Sequence, residues 1–157
     1  MAAKPKDSAR YTEVRNPKAL RDFFIHDRFE AGVKLSGSEV KSVRGGKAQL
    51  ADAFARIDKG EVWLYGAYIE EYAFAALSQH APRRPRKLLL HAKEIDKLAL
   101  QVETGGRVIV ALRMYFKEAL VKVEIATASG KKQFDKREDL KKREQNLEAR
   151  RALHSRQ

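Results

Sequence analysis

From Phe23 to Leu35 the side chains alternate, with Phe29, Ala31, Val33 and Leu35 on one side and Glu30, Gly32 and Lys34 on the other. A period of two over that length predicts a strand with one buried face. Val108 to Phe116 and Leu120 to Ala128 are the two longest further strand candidates, joined by Lys117-Glu118-Ala119, a tight hairpin connection without glycine. Ala53 to Ile57 and Glu61 to Tyr65 flank Asp58-Lys59-Gly60, a hairpin signal with glycine where a positive φ is needed. A short strand over Ala67 to Ile69 follows Gly66.

The period changes to helical in three places. Asn16-Pro17 has the form of a helix start, an Asn cap before a Pro whose missing N–H costs nothing at the first helical position, and opens a short helix to Asp22. Ser36-Gly37-Ser38 turns into a helix over Glu39 to Arg44, whose only apolar residues are Val40 and Val43, and Gly45-Gly46 ends it. Ile95, Leu98, Ala99 and Val102 repeat at helical spacing in Ala92 to Glu103, before Thr104-Gly105-Gly106. Residues 73–87 read as a loop in which Pro82 and Pro85 keep the run Arg83-Arg84-Pro85-Arg86-Lys87 extended.

About six short strands and two or three short helices joined by tight turns predict a mainly β fold, a small antiparallel barrel of the oligonucleotide-binding (OB) type. Closure removes the edges that such strands would otherwise expose. Three parts are expected: a flexible N-terminal tail over 1–15, an OB-type barrel over 16–130, and a basic tail over 131–157. That last part is over a third Lys and Arg, with Leu140, Leu147 and Leu153 as its large aliphatics. Glu138 with Lys142 and Asp139 with Arg143 stand at the favourable i, i+4 spacing. Such a helix alone in water is marginal, so the tail is expected to be disordered when free and to become helical on a polyanion.

The 157 residues suit one domain with a tail, and 43% hydrophobic content excludes a wholly disordered chain. No cysteine is present, which removes disulfide scaffolds, Cys-based zinc sites and thiol nucleophiles. With no spanning run and no signal-peptide core at the start, a soluble, cytoplasmic protein is expected. The net charge of +12 is focused: nine of the twelve excess charges fall in 81–97 and 131–157. That footprint points to nucleic acid, because each Lys or Arg that displaces a counterion from phosphate adds to binding. An anionic membrane would ask for an amphipathic helix with bulky apolar residues opposite the charge, and neither basic segment has one.

Catalytic chemistry is thin. His26, His80, His91 and His154 are scattered and read as structural, and neither a metal-ligand spacing nor a nucleotide-binding loop is present. Gly45-Gly46-Lys47 reads as a helix stop. Aromatic and basic residues interleave at Tyr11 to Arg15, around Phe23-Phe24 with Arg21 and Arg28, and at Arg113-Met114-Tyr115-Phe116-Lys117. Exposed rings beside cations suit stacking on unpaired bases, although alternation puts one of Tyr115 and Phe116 inside and Trp63 reads as core. Glu30 and Glu39 stand out in a basic protein, as acceptors for base N–H groups, as orienters of neighbouring Arg or Lys, or as members of surface ion pairs.

Several strings taken together resemble one family: Phe29-Glu30-Ala31-Gly32, Gly37-Ser38-Glu39-Val40-Lys41-Ser42-Val43-Arg44, Arg86-Lys87-Leu88-Leu89-Leu90-His91, Tyr115-Phe116-Lys117 with Val121-Lys122-Val123, and Gly130-Lys131-Lys132 with Asp135-Lys136-Arg137. In order and in content they are similar to the small protein B (SmpB) family, the SsrA-binding proteins of bacterial trans-translation, from about Asn16 to the C-terminus. The resemblance implies a non-enzymatic adaptor without cofactor or metal. It would bind the tRNA-like domain of transfer-messenger RNA (tmRNA) and deliver the alanylated RNA to stalled ribosomes as a monomer. An alanyl-tRNA synthetase and an elongation GTPase would act alongside it. RNA-binding positions carried over are Asn16, Glu30 and Leu89, and the charge argument adds Arg86 and Lys87. The tail, with Lys131, Lys132, Asp135, Lys136, Arg137, Lys141, Lys142 and Arg143, would enter the decoding centre and the empty mRNA channel of the small subunit. The chain departs from the family pattern at Pro17, at Ala81 and over Gln145 to Gln157.

Two other readings compete. A general single-strand binder or ribosomal protein on the same barrel predicts similar affinity for any single-stranded RNA. A metal-dependent nuclease would need Glu30, Glu39 or Asp52 to form a carboxylate cluster.

Overall fold

The computed structural model describes residues 13–75, 79–131 and 133–155. Chain order gives β1 (Val14–Arg15), α1 (Pro17–Asp22), β2 (Phe23–Val33), α2 (Gly37–Arg44), β3 (Ala48–Gln49), β4 (Phe54–Asp58), β5 (Glu61–Tyr65), β6 (Tyr68–Ile69), β7 (Arg86–Leu89), α3 (Ala92–Gly105), β8 (Val108–Lys117), β9 (Leu120–Gly130) and α4 (Gln133–Ser155). Every strand pairing is antiparallel. The main sheet runs β1-β8-β4-β5-β7-β2-β9, and a further β8–β9 pairing closes it into a ring. This is the expected OB-type barrel, with β3 and β6 forming a small separate sheet.

The alternating patterns set the inner face. Phe29, Ala31, Val62, Leu64, Leu88, Ile109, Ala111, Met114, Phe116, Val123 and Ile125 are buried in one cluster, and Leu98 of α3 joins it. A second cluster lies outside the ring, where Val110, Leu112, Ala126 and Ala128 pack with Ala19 of α1. Both tight hairpins take left-handed residues: Lys59 and Gly60 in one, Glu118 and Ala119 in the other. Positive φ at both positions matches the right-handed strand twist. Gly66, at φ +76, lies where a Cβ would run into the Asp52 carbonyl oxygen.

Four expectations change. Order begins before Asn16, because Val14 and Arg15 pair with Met114 and Arg113; residues 1–12 of the expected flexible tail lie outside the described residues. Nine strands, not six, occur among the described residues, since two-residue strands carry little sequence signal. Arg86 and Lys87 belong to β7 and not to a loop, because the extended backbone that Pro85 favours in its neighbours continues into the ladder. Trp63 pairs opposite Lys87 with Val62 and Leu64 buried on either side, so its side chain takes the outer face and is only partly covered. Tyr115 and Phe116 divide as alternation requires, with Phe116 inside.

Helix α4 spans 23 residues. Leu140, Leu147 and Leu153 are 45%, 51% and 68% exposed, so this helix draws little on burial. Among the described residues no helix is long and apolar enough to cross a membrane.

Candidate nucleic-acid interface

Outward-pointing positions of four consecutive strands make one surface. On β7, β2, β9 and β8 the register sets Leu89 beside Gly32, Gly32 beside Lys122, and Lys122 beside Tyr115. Leu89 is 53% exposed. A Cβ on Gly32 would sit 3.3 Å from the Leu89 Cβ, so the bare glycine leaves room for leucine to lie over the sheet. One row further along, Glu30 stands opposite Glu124, and Glu124 opposite Arg113.

Like charges opposite each other on a sheet are unfavourable, and here each carboxylate has its own donors. Glu124 accepts from Arg28 at 3.1 Å and from Arg113 at 2.8 Å. Glu30 accepts from the Tyr115 hydroxyl and from Lys117 Nζ, the latter at 3.1 Å. The Tyr115 hydrogen bond, with Lys117 adding to it against slight desolvation, holds Glu30 below the usual carboxylate range. Tyr115 is pushed well above its ordinary value, by burial first and by the adjacent Glu30 second. The Arg113 guanidinium lies 4.3 Å from the centroid of the Tyr115 ring. Burial disfavours its charge, but Glu124 and Glu13 outweigh that and raise its pKa. The result is a part-apolar, part-charged strip with a hydroxyl locked to a carboxylate. Beside it runs a shallow groove lined by Glu30, Gly32, Leu89, His91, Glu94 and Lys122.

The second carboxylate lies inside. Glu39 is fully buried on α2 and accepts from Arg86 Nε, from Arg84 Nε at 3.1 Å and from the Ser36 backbone N–H at 3.0 Å. Desolvation pushes the Glu39 carboxyl up, yet the two guanidiniums and the Ser36 amide outweigh it and leave the pKa lowered. Arg86, also fully buried, donates to the carbonyls of Ala67 at 2.9 Å and Pro82 at 3.1 Å. Burial pulls its pKa down and Glu39 opposes that.

The predicted residues are therefore split. Glu30 and Leu89 share the outer face. Lys87 faces outward on β7, paired with Glu61 at 3.1 Å. Arg86, expected to meet phosphate, is in the interior as the partner of Glu39, where phosphate cannot reach it. Asn16 is 3% exposed; it caps α1 by accepting from Ala19 N–H at 3.2 Å and donates to the carbonyls of Leu50 and Ala111, both at 2.8 Å. It joins α1, β8 and the chain before β4, with its amide spent on these interior contacts. Arg113, Tyr115 and Lys117 belong to an aromatic and basic run, and Lys122 to a family string, that the sequence singles out without placing them beside Glu30; strand parity carried from Phe116 across the β8–β9 hairpin puts Tyr115 and Lys122 on the outer face.

At the base of the tail Lys131 pairs with Asp139, lies 5.0 Å from the Phe24 ring centroid and donates its backbone N–H to Asp22. Arg137, Lys141, Lys142 and Arg143 are exposed on α4. Asp139 is held low by Lys131 first, with Lys142 and Arg143 adding to it. Lys132 and the side chains of Asp135 and Lys136 lie outside the described residues. The carboxylates of the nuclease reading stand apart: Glu30 with Tyr115 and Lys117, Glu39 with the two arginines, Asp52 with Lys18.

A family model described as "SmpB protein" matches residues 13–155. An SsrA-binding protein of Thermobifida fusca is 50% identical over 145 residues, covering 92% of this chain and 91% of that protein. Another, of Geobacter sulfurreducens, is 53% identical over 138 residues, covering 88% and 90%. A chain of the solved structure described as "tmRNA-SmpB: a journey to the center of the bacterial ribosome" superposes with a TM-score of 0.65 at 41% identity, covering 77% of this chain and 85% of that one.

Proposed function

This chain belongs to the SmpB protein family, and on that premise we propose that it is a tmRNA-binding adaptor of trans-translation. The outer face of β7, β2, β9 and β8 receives the tRNA-like domain. The observation that carries this reading is the convergence of Leu89, Glu30, Lys122 and Tyr115 from four strands onto one open strip. Leu89 supplies an apolar contact for a ribose or base. Lys122 and Lys87 supply charge for phosphate. Glu30 accepts from a base N–H and holds the Tyr115 hydroxyl, so that the ring stays fixed for stacking. Asn16 and Arg86 serve the same surface from behind, by fixing the strands that carry it.

The tail completes the adaptor. Lys131, Lys132, Asp135, Lys136, Arg137, Lys141, Lys142 and Arg143 occupy the decoding centre and the empty mRNA channel, where phosphates stabilise a helix that burial does not. The protein acts as a cytoplasmic monomer on alanylated tmRNA delivered with an elongation GTPase, and binds without catalysing.

The experiment is binding of the full chain to the tRNA-like domain, to an ordinary tRNA and to a single strand across a salt series. Preference for the tRNA-like domain that survives high salt is expected. Equal binding that vanishes with salt would leave only a basic barrel.

A further inference from the structure

Away from the outer face, the segment that leaves β6 presents a second set of rings. Phe74 is 84% exposed and meets Tyr72 edge to face, with centroids 5.5 Å apart at 64°. Lys41 of α2 stands 5.3 Å from the Tyr72 ring centroid, and Arg83 lies 5.4 Å from that of Tyr68. A lone exposed ring is ordinary. Tyr72 and Phe74, in contact with each other and with Lys41 over the Tyr72 ring, form a platform, and Arg83 over Tyr68 is a second ring–cation pair on the same short segment.

The platform is built and not incidental. Gln79 receives the Tyr72 backbone N–H at 3.2 Å and donates its amide back to the Tyr72 carbonyl, as a neighbouring strand would. The Ala75 N–H closes the turn on that carbonyl at 3.1 Å. Next in the chain, His80 is pinned at both ring nitrogens, by Ser38 Oγ and by the Ile69 carbonyl, each at 2.9 Å. The turn thus holds Phe74 out in water and fixes the Tyr72 backbone beside it. The exposed Phe74 ring offers a flat face on which an unpaired purine, the base type with the larger π-surface, can stack, and aromatic stacking with flanking cations is how proteins hold such bases. Glu70 and Glu71 are exposed nearby and offset Lys41 and Arg83, so phosphate attraction contributes little.

We infer that Tyr72 and Phe74, with Lys41, form a second RNA-binding site that stacks unpaired purine bases, separate from the residues Glu30 and Leu89 of the outer face. It rests on the reading of the protein as an RNA adaptor, and adds a contact to a single-stranded stretch.

The test uses the full chain and a short oligoadenylate as probe. The Tyr72→Ala/Phe74→Ala pair is expected to weaken oligoadenylate binding by about five-fold or more, nearly equally at low and high salt. Phe74→Trp is expected to keep or tighten it. Unchanged oligoadenylate affinity in the double variant would overturn the inference. The adaptor reading fails separately, if the wild-type chain shows no preference for the tRNA-like domain over tRNA.

Discussion

Glu39 and Glu30 are the same residue in the same basic barrel, each held by a hydroxyl and by cationic side chains, yet they do different work. Glu39 is buried, and its partners Arg86 and Arg84 hold the chain between β6 and β7 against α2. Glu30 is exposed on the outer face, and its partners Tyr115 and Lys117 arrange a surface. Solvent decides the difference. Removing one partner of a buried pair leaves an uncompensated charge in low dielectric, whereas water replaces a partner lost at the surface.

Removing the buried cation has the largest effect. Arg86→Met strands Glu39 beside Arg84 alone and is expected to cost about 3–5 kcal/mol of stability, with a drop in Tm of roughly 10 °C. Joining it with Glu39→Gln should recover part of that loss, measurable by thermal melting of both variants. The acid limb follows from the same pair. The pKa of Glu39 is lowered in the folded state from its ordinary 4.5, so its contribution is present above that value and is lost as pH falls through the folded pKa. A Glu39→Gln chain is expected to lose stability less steeply on acidification.

Asn16 also works from the interior. Its amide replaces strand hydrogen bonds along the β8 edge, between the place where β1 pairs and the place where β4 pairs. Asn16→Ala removes a cap and two buried donors, and about 2 kcal/mol is expected to go with them. If RNA affinity falls while thermal stability is untouched, Asn16 touches RNA directly and the positioning role is wrong.

This division also explains what was legible. The strand from Phe23, the two hairpins and the α3 repeat follow from local periodicity, so the barrel could be read. Burial of charge could not. The Glu39–Arg86 contact joins residues 47 apart and the Glu30–Tyr115 contact residues 85 apart, far outside any window in which charge is counted. Summing the basic run at 83–87 treats Arg86 as surface, although β7 turns its side chain inward and Lys87's outward. Trp63 differs in kind: with Val62 and Leu64 buried, strand parity alone puts its side chain on the outer face.

On the outer face the order of effects reverses. Leu89→Ala deletes an exposed side chain and should change stability by no more than about 0.5 kcal/mol. The same change is expected to weaken tRNA-like-domain binding by about 5- to 30-fold, the size of a good interface anchor. Filter or fluorescence titration checks it beside a melting curve. Equal affinity would remove Leu89 from the interface.

The smallest effect isolates Glu30 itself. Glu30→Gln leaves the barrel's stability within about 1 kcal/mol, because water takes over from an exposed pair. What changes is Tyr115. Its ionisation is pushed above the ordinary 10.0 by burial and then by the Glu30 carboxylate, which accepts a hydrogen bond from the phenol and repels the phenolate. In Glu30→Gln the carboxylate charge is gone and burial remains, so tyrosinate absorbance should rise at lower pH than in the wild type, while staying above 10.0. A titration that superposes on the wild type would mean that Glu30 does not hold the hydroxyl in solution. The ring would then be free to turn, and the outer face would lose the preorganisation that separates it from an ordinary charged sheet.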